Sequence, residues 1–194
     1  MCGKWSATIS RRTGWMARRT VLIALAVSAA AFAVAAGAFW GLRRPAPDAA
    51  ADQEAVALFA MKLPDADGVE RPLLAWRGKL LVVNFWATWC APCVEEMPEL
   101  QRFADEFAPR NVAVIGIGVD DADKIRDFRS QHRLRIPLLA AGFDGMQLAQ
   151  RLGNPEPVLP YTALISPDGR LVEEHSGRIQ EPELRRWVAE HGSR

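Results

Sequence analysis

An α/β domain, with a central mixed sheet and helices on both faces, is predicted for the larger part of this 194-residue chain. Three observations predict it. Residues 80–86 (LLVVNFW) and 112–119 (VAVIGIGV) are continuous apolar runs, as strands buried on both faces should be. Stretches with helical periodicity lie between and after these runs. Near the C-terminus, Pro167-Asp168-Gly169 joins two further strand-like segments as a hairpin turn.

The elements follow in order. Residues 94–107 place Val94, Met97, Leu100, Phe103, Ala104 and Phe107 on one helical face. Residues 121–132 form a charged helix showing Ile125 and Phe128 to the core. A short strand over 136–139 precedes a short helix over 146–152, which Gly153 ends. The hairpin comprises 161–166 and 170–175, and a final amphipathic helix over 181–190 uses Leu184, Trp187 and Val188. The order is β-α-β-α-β-α-β-β-α. Upstream, Pro64-Asp65-Ala66-Asp67-Gly68 and residues 73–75 suggest a small extra hairpin.

The N-terminal part has a different character. Residues 1–19 carry Lys4, Arg11, Arg12, Arg18 and Arg19 and no acid, which leaves 19 basic against 23 acidic residues in the rest. From Val21 to Leu42 there is no charge, and 22 residues at about 1.5 Å each make a helix of roughly 33 Å, enough to span the hydrocarbon core. The basic excess before the span keeps the N-terminus inside and sends the remainder across. This reading gives a basic cytoplasmic tail over 1–19, a transmembrane helix or signal-anchor over 20–42, a linker over 43–53 and the folded domain over 54–194. The expected location is the inner membrane, in a single pass, with the domain in the periplasm. A cleaved signal peptide, leaving a soluble periplasmic domain, is the alternative. Nucleic acid is excluded as a partner by the slightly acidic domain. Three cysteines are too few for a disulfide scaffold, and the apolar content is too high for a disordered chain.

Chemistry concentrates at Cys90-Ala91-Pro92-Cys93, directly after the first buried strand and at the start of a helix. There, unpaired N–H groups and the helix dipole favour a thiolate at Cys90. Pro92 suits the first turn, where its missing N–H has no partner to lose. Cys93, one turn in, is screened. One reachable nucleophile and one sheltered partner suit disulfide exchange: the first forms a mixed disulfide and the second resolves it. A closed zinc site needs four ligands, and His132, His175 and His191 are scattered. A copper-handling thiol pair is the competing metal reading. Cys2, in the tail, has no expected function.

The run from Gly78 to Cys93 (GKLLVVNFWATWCAPC) resembles the thioredoxin superfamily, and within it the TlpA/ResA-like membrane-anchored thiol–disulfide oxidoreductases. The resemblance implies a thioredoxin-like fold, with an extra helix–strand insert near 120–150. It implies that Cys90 attacks, Cys93 resolves and Trp89 lies beside them, and that Pro98 falls where the active-site helix is kinked. Leu159-Pro160-Tyr161-Thr162 resembles the loop whose cis proline packs against the cysteines and leaves the Leu159 backbone free to pair with an extended substrate. Trp89, Ala91, Pro92, Leu159 and Tyr161 are the expected substrate groove, although Tyr161 at a strand start also reads as a buried aromatic.

One position departs from thioredoxin. The buried acid on the strand entering the motif is Asn84 here, which cannot take a proton from Cys93. Glu96, three residues after Cys93 on the same helical face, is the candidate replacement. Its competing reading is a solvated charge on the helix flank. The resemblance implies an enzyme with no organic cofactor or metal beyond the Cys90–Cys93 disulfide. It implies protein substrates bearing cysteines or disulfides, an upstream membrane thiol reductant, and net reduction in haem attachment (cytochrome c maturation) or copper-centre assembly. A general thiol oxidant or isomerase is the alternative direction.

Overall fold

The computed structural model describes residues 47–154 and 156–192. The expected basic tail and membrane span lie outside the described residues, and among the described residues no helix is long and apolar enough to cross a membrane. The first element corrects the predicted linker. Residues 47–53 belong to a helix, α1 (Pro47–Ala60), instead of a spacer. Ala55, Leu58 and Phe59 of α1 are buried, and the Asp52 carboxylate accepts the Leu171 N–H at 3.0 Å. Burying a Leu and a Phe favours docking by about 1.5–3 kcal/mol each, which outweighs the weak intrinsic pattern of this Ala-rich segment.

A two-stranded hairpin follows, β1 (Lys62–Pro64) against β2 (Glu70–Pro72). Its second strand stands before the position read from sequence, because Leu73–Trp76 instead forms a 3-10 turn that buries Leu73. The main chain of elements is β3 (Leu80–Trp86), α2 (Ala91–Phe107), β4 (Val112–Gly118), α3 (Ala122–His132), β5 (Leu138–Ala140), α4 (Asp144–Arg151), β6 (Tyr161–Ile165), β7 (Leu171–Ser176) and α5 (Glu181–His191). The five-stranded sheet has the order β5-β4-β3-β6-β7, with β3–β4 and β4–β5 parallel and the β6 and β7 pairings antiparallel. The mixed sheet is therefore as predicted, with β3 at its centre and all seven of its residues buried.

Strand alternation divides the core in two. Leu80, Val82 and Trp86 of β3 pack with Cys93, Met97, Leu100 and Phe103 of α2 and with side chains of α3 and α5. Leu81, Val83 and Phe85 point the other way, into Leu58 and Phe59 of α1, Leu148 of α4 and Leu152 just after it. The helix α2 runs on past Pro98, and the Pro167-Asp168-Gly169 turn closes with Gly169 at φ 90°. The carboxyl ends of β3, β4 and β5 and the start of β6 share one edge of the sheet, and the cysteines stand on that edge.

Candidate active site

Residues 87–90 carry the chain from β3 into α2. The Cys90 N–H bonds the Ala87 carbonyl (3.2 Å), and the helix opens with the Val94 N–H on the Cys90 carbonyl (3.1 Å). Cys90 is thus the N-cap residue, with Pro92 in the first turn. Asp120, just beyond β4, braces this entry: its Oδ2 accepts both the Thr88 N–H and the Thr88 hydroxyl, each at 2.8 Å. The two sulfurs are bonded at 2.04 Å, with Cα atoms 5.3 Å apart. Cys93 is 0 % exposed and Cys90 6 %, so a visiting group reaches only the latter.

Around Cys90 lie exposed apolar side chains. Trp89 is 65 % exposed, and Ala91 and Pro92 are also open to solvent. Phe85 is paired with Tyr161 in the register of β3 and β6, which sets Pro160 beside the end of β3 from which the cysteine turn departs. The Leu159–Pro160 peptide bond is cis, Pro160 is buried and Leu159 half-buried. The Pro160 carbonyl is held by the Gly177 N–H at 2.8 Å.

Tyr161 is a correction. It is completely buried, and its hydroxyl donates to the Leu152 carbonyl (2.7 Å) and meets Glu174 Oε2 (3.0 Å), so it cannot line an open groove. Burial and the Glu174 charge both raise its pKa. Gly153, at φ 105°, passes so close that an added Cβ would stand 3.0 Å from this hydroxyl. A large aromatic with one polar tip is stable at a strand start when that tip finds such a partner, and here the partner is the end of α4.

Glu96 is fully buried, not a solvated flank. Its Oε1 accepts Asn84 Nδ2 at 2.7 Å and its Oε2 the Ile179 N–H at 3.1 Å. Asn84 also reaches Thr162 Oγ1 at 3.1 Å. Burial pushes the Glu96 carboxyl up to about 7, against the two hydrogen bonds and the nearby Arg178 charge, which favour the ionised form. Arg178 itself spans Glu95 (3.1 Å) and Glu99 (2.7 Å) on the outer side of α2. A carboxylic acid that changes charge near neutral pH therefore stands one helical turn after Cys93.

Three supporting groups were not read from the sequence. Thr162 has a signal in retrospect, a small hydroxyl inside an otherwise apolar strand, and so has Asp120, an acid following the VAVIGIGV run. The Ile179 N–H has none, because only tertiary folding brings that backbone to Glu96. As for metals, the grouping of three possible ligands among the described residues is Glu173, Glu190 and His191, away from both cysteines. Arg186 already lies 3.0 Å from Glu190 and 3.8 Å from Glu173 there.

Comparison with known proteins agrees with this geometry. Residues 52–174 match the family model described as the AhpC/TSA family. Thiol-disulfide oxidoreductase ResA of Bacillus thuringiensis (strain Al Hakam) is 30% identical over 125 residues, which cover 64% of this chain and 70% of the relative. ResA of Geobacillus thermodenitrificans is 27% identical over 127 residues, 65% of this chain and 71% of that one. Among solved structures, a secreted thiol-disulfide isomerase from Corynebacterium glutamicum superposes with a TM-score of 0.63 at 22% identity, covering 71% of this chain and 86% of the other. A thioredoxin family thiol:disulfide interchange protein from Chlorobium tepidum gives 0.61 at 20% identity, covering 69% and 93%. The chain belongs to the AhpC/TSA family of thioredoxin-like proteins, and it is a TlpA/ResA-like thiol–disulfide oxidoreductase.

Proposed function

We propose that the domain exchanges disulfides with protein cysteines outside the cytoplasm, as a reductant tethered through residues 20–42. The observation that carries the exchange mechanism is the unequal burial of two bonded sulfurs, Cys90 at 6 % and Cys93 at 0 % exposure. An upstream thiolate attacks the Cys90 sulfur, and Cys93 departs as a thiolate and takes a proton from Glu96. The donor's second thiolate then resolves the mixed disulfide, leaving Cys90 as a thiolate at the helix N-terminus. In the working half-cycle that thiolate attacks a substrate disulfide and releases one substrate thiolate. Cys93 returns its proton to Glu96 and attacks Cys90, and the second substrate thiolate leaves. Trp89, Ala91 and Pro92 meet the substrate, and the Leu159 backbone before Pro160 pairs with its extended chain.

The net reductive direction, and service to haem attachment or copper-centre assembly, follow from likeness to the TlpA/ResA group. The location follows from the basic tail and apolar run of the sequence. The secreted character of the Corynebacterium isomerase agrees with it. No cofactor beyond the dithiol enters the mechanism.

Replacing Cys93 with Ser tests the exchange. Partner proteins should accumulate on Cys90 as mixed disulfides that a reductant releases, and the additional change Cys90→Ser should abolish them. Absence of trapped partners, with tight Cu(I) binding retained, would replace exchange by metal handling. The reduction potential measured against glutathione decides the direction: a strongly negative value supports a reductant, and an oxidising one reverses it.

A further inference from the structure

The buried side chain of Asn84 is only half satisfied. Its Nδ2 donates to Glu96 Oε1 (2.7 Å) and Thr162 Oγ1 (3.1 Å). Its Oδ1 is sealed from solvent and, among the described residues, has no hydrogen-bond partner. Once Glu96 has given its proton to Cys93, rotating the amide would not cure this, because it would set an amide oxygen against a carboxylate oxygen. The carboxylate therefore fixes which way the orphan acceptor points. An unpaired buried acceptor calls for a physical reason, since nearly all such groups are paired in folded proteins.

A matching orphan donor arises in the other half of the redox cycle. Asn84 lies between Val82 and Trp86 on the face of β3 that packs against Cys93 and Met97 of α2. Cys93 precedes Glu96 by three residues, so its sulfur and the Glu96 carboxyl project from the same side of the helix onto that face. In the disulfide the Cys93 sulfur carries no hydrogen. On reduction it becomes a buried S–H with no access to water. Both Glu96 oxygens already hold donors, from Asn84 and from the Ile179 N–H.

We propose that Asn84 Oδ1 is the acceptor for the Cys93 thiol in the reduced protein, making Asn84 a positioning residue for the resolving cysteine. It rests on the exchange reading above. The electron pair comes from the donor dithiol, which ends as a disulfide. The Cys90–Cys93 bond breaks, the proton on Cys93 comes from Glu96, and the new S–H turns to Asn84. Glu96 moves the proton and Asn84 holds the hydrogen once it has arrived. The acid and the amide thus divide the two tasks.

The S–H stretching band of Cys93 reads this contact directly. It is isolated as the infrared difference between the reduced full-length protein and its reduced Cys93→Ser variant. The band is expected at the lower frequency of a hydrogen-bonded thiol, to stay there in Glu96→Gln and to move to the free-thiol position in Asn84→Ala. A free-thiol band in the unsubstituted protein overturns the assignment, as does a band that moves with Glu96→Gln but not with Asn84→Ala. If Asn84→Ala does not fold, the first two spectra decide. A free-thiol band with partner trapping intact removes only the role of Asn84, whereas loss of trapping removes the exchange reading itself.

Discussion

Asn84 and Glu96 meet at 2.7 Å, and this contact ties the strand that leads into Cys90 to the helix that carries Cys93. It holds a fully buried carboxyl group one helical turn after Cys93.

Exchange should depend on the charge of Glu96. The unsubstituted protein is expected to show an inflection near pH 7 in its rate of thiol–disulfide exchange, where the carboxyl changes charge. Glu96→Gln should remove the inflection and slow exchange by about a hundredfold, the lower end for a lost general acid–base group. Stopped-flow rates across pH with one disulfide substrate provide the check.

Folding stability carries the same signature. Burial raises the Glu96 carboxyl from 4.5 to about 7, so the native state binds its proton more tightly than the unfolded chain does. The stabilisation is complete below pH about 4.5 and is lost as pH rises to about 7, a change of roughly 3 kcal/mol in order of magnitude. Denaturant titrations of the oxidised protein should show this loss, and Glu96→Gln should flatten it.

Tyr161 is expected to serve stability alone. Tyr161→Phe takes the donor from the buried Leu152 carbonyl and should cost about 1 kcal/mol, with the exchange rate unchanged. Equilibrium unfolding and exchange assays on the same sample separate the two. A large loss of exchange with intact folding would return Tyr161 to the substrate groove.

Trp89 should show the reverse. Its ring is largely exposed, so Trp89→Ala should shift stability by less than about 0.5 kcal/mol. Removing an aromatic anchor from a contact surface should raise KM for a protein substrate about tenfold. Thermal melts and substrate titrations test both parts.

Asp52 tests where the folded unit begins. Asp52→Ala leaves the Leu171 N–H without its acceptor and should destabilise the domain by about 1 kcal/mol. Residues of a solvated linker would give no change in the denaturation midpoint.

By itself the sequence determined the order of strands and helices from β3 onward, the pairing of Cys90 with Cys93 and the candidacy of Pro160, because these rest on local signals. Continuous apolar runs make buried strands, helical periodicity makes faces, and a C-x-x-C spacing brings two sulfurs within one turn. Local signals fail where a residue's environment comes from distant chain. Glu96 reads more readily as a solvated flank until Asn84 and the Ile179 N–H, 12 and 83 positions away, take its two oxygens. Tyr161 turned out to be core because α4 and Glu174 take its hydroxyl, and residues 47–53 became helix because the sheet face needs Leu58 and Phe59. Tertiary structure alone decided these, since burial sets the cost of a charge and the value of an apolar side chain, and burial belongs to the whole fold.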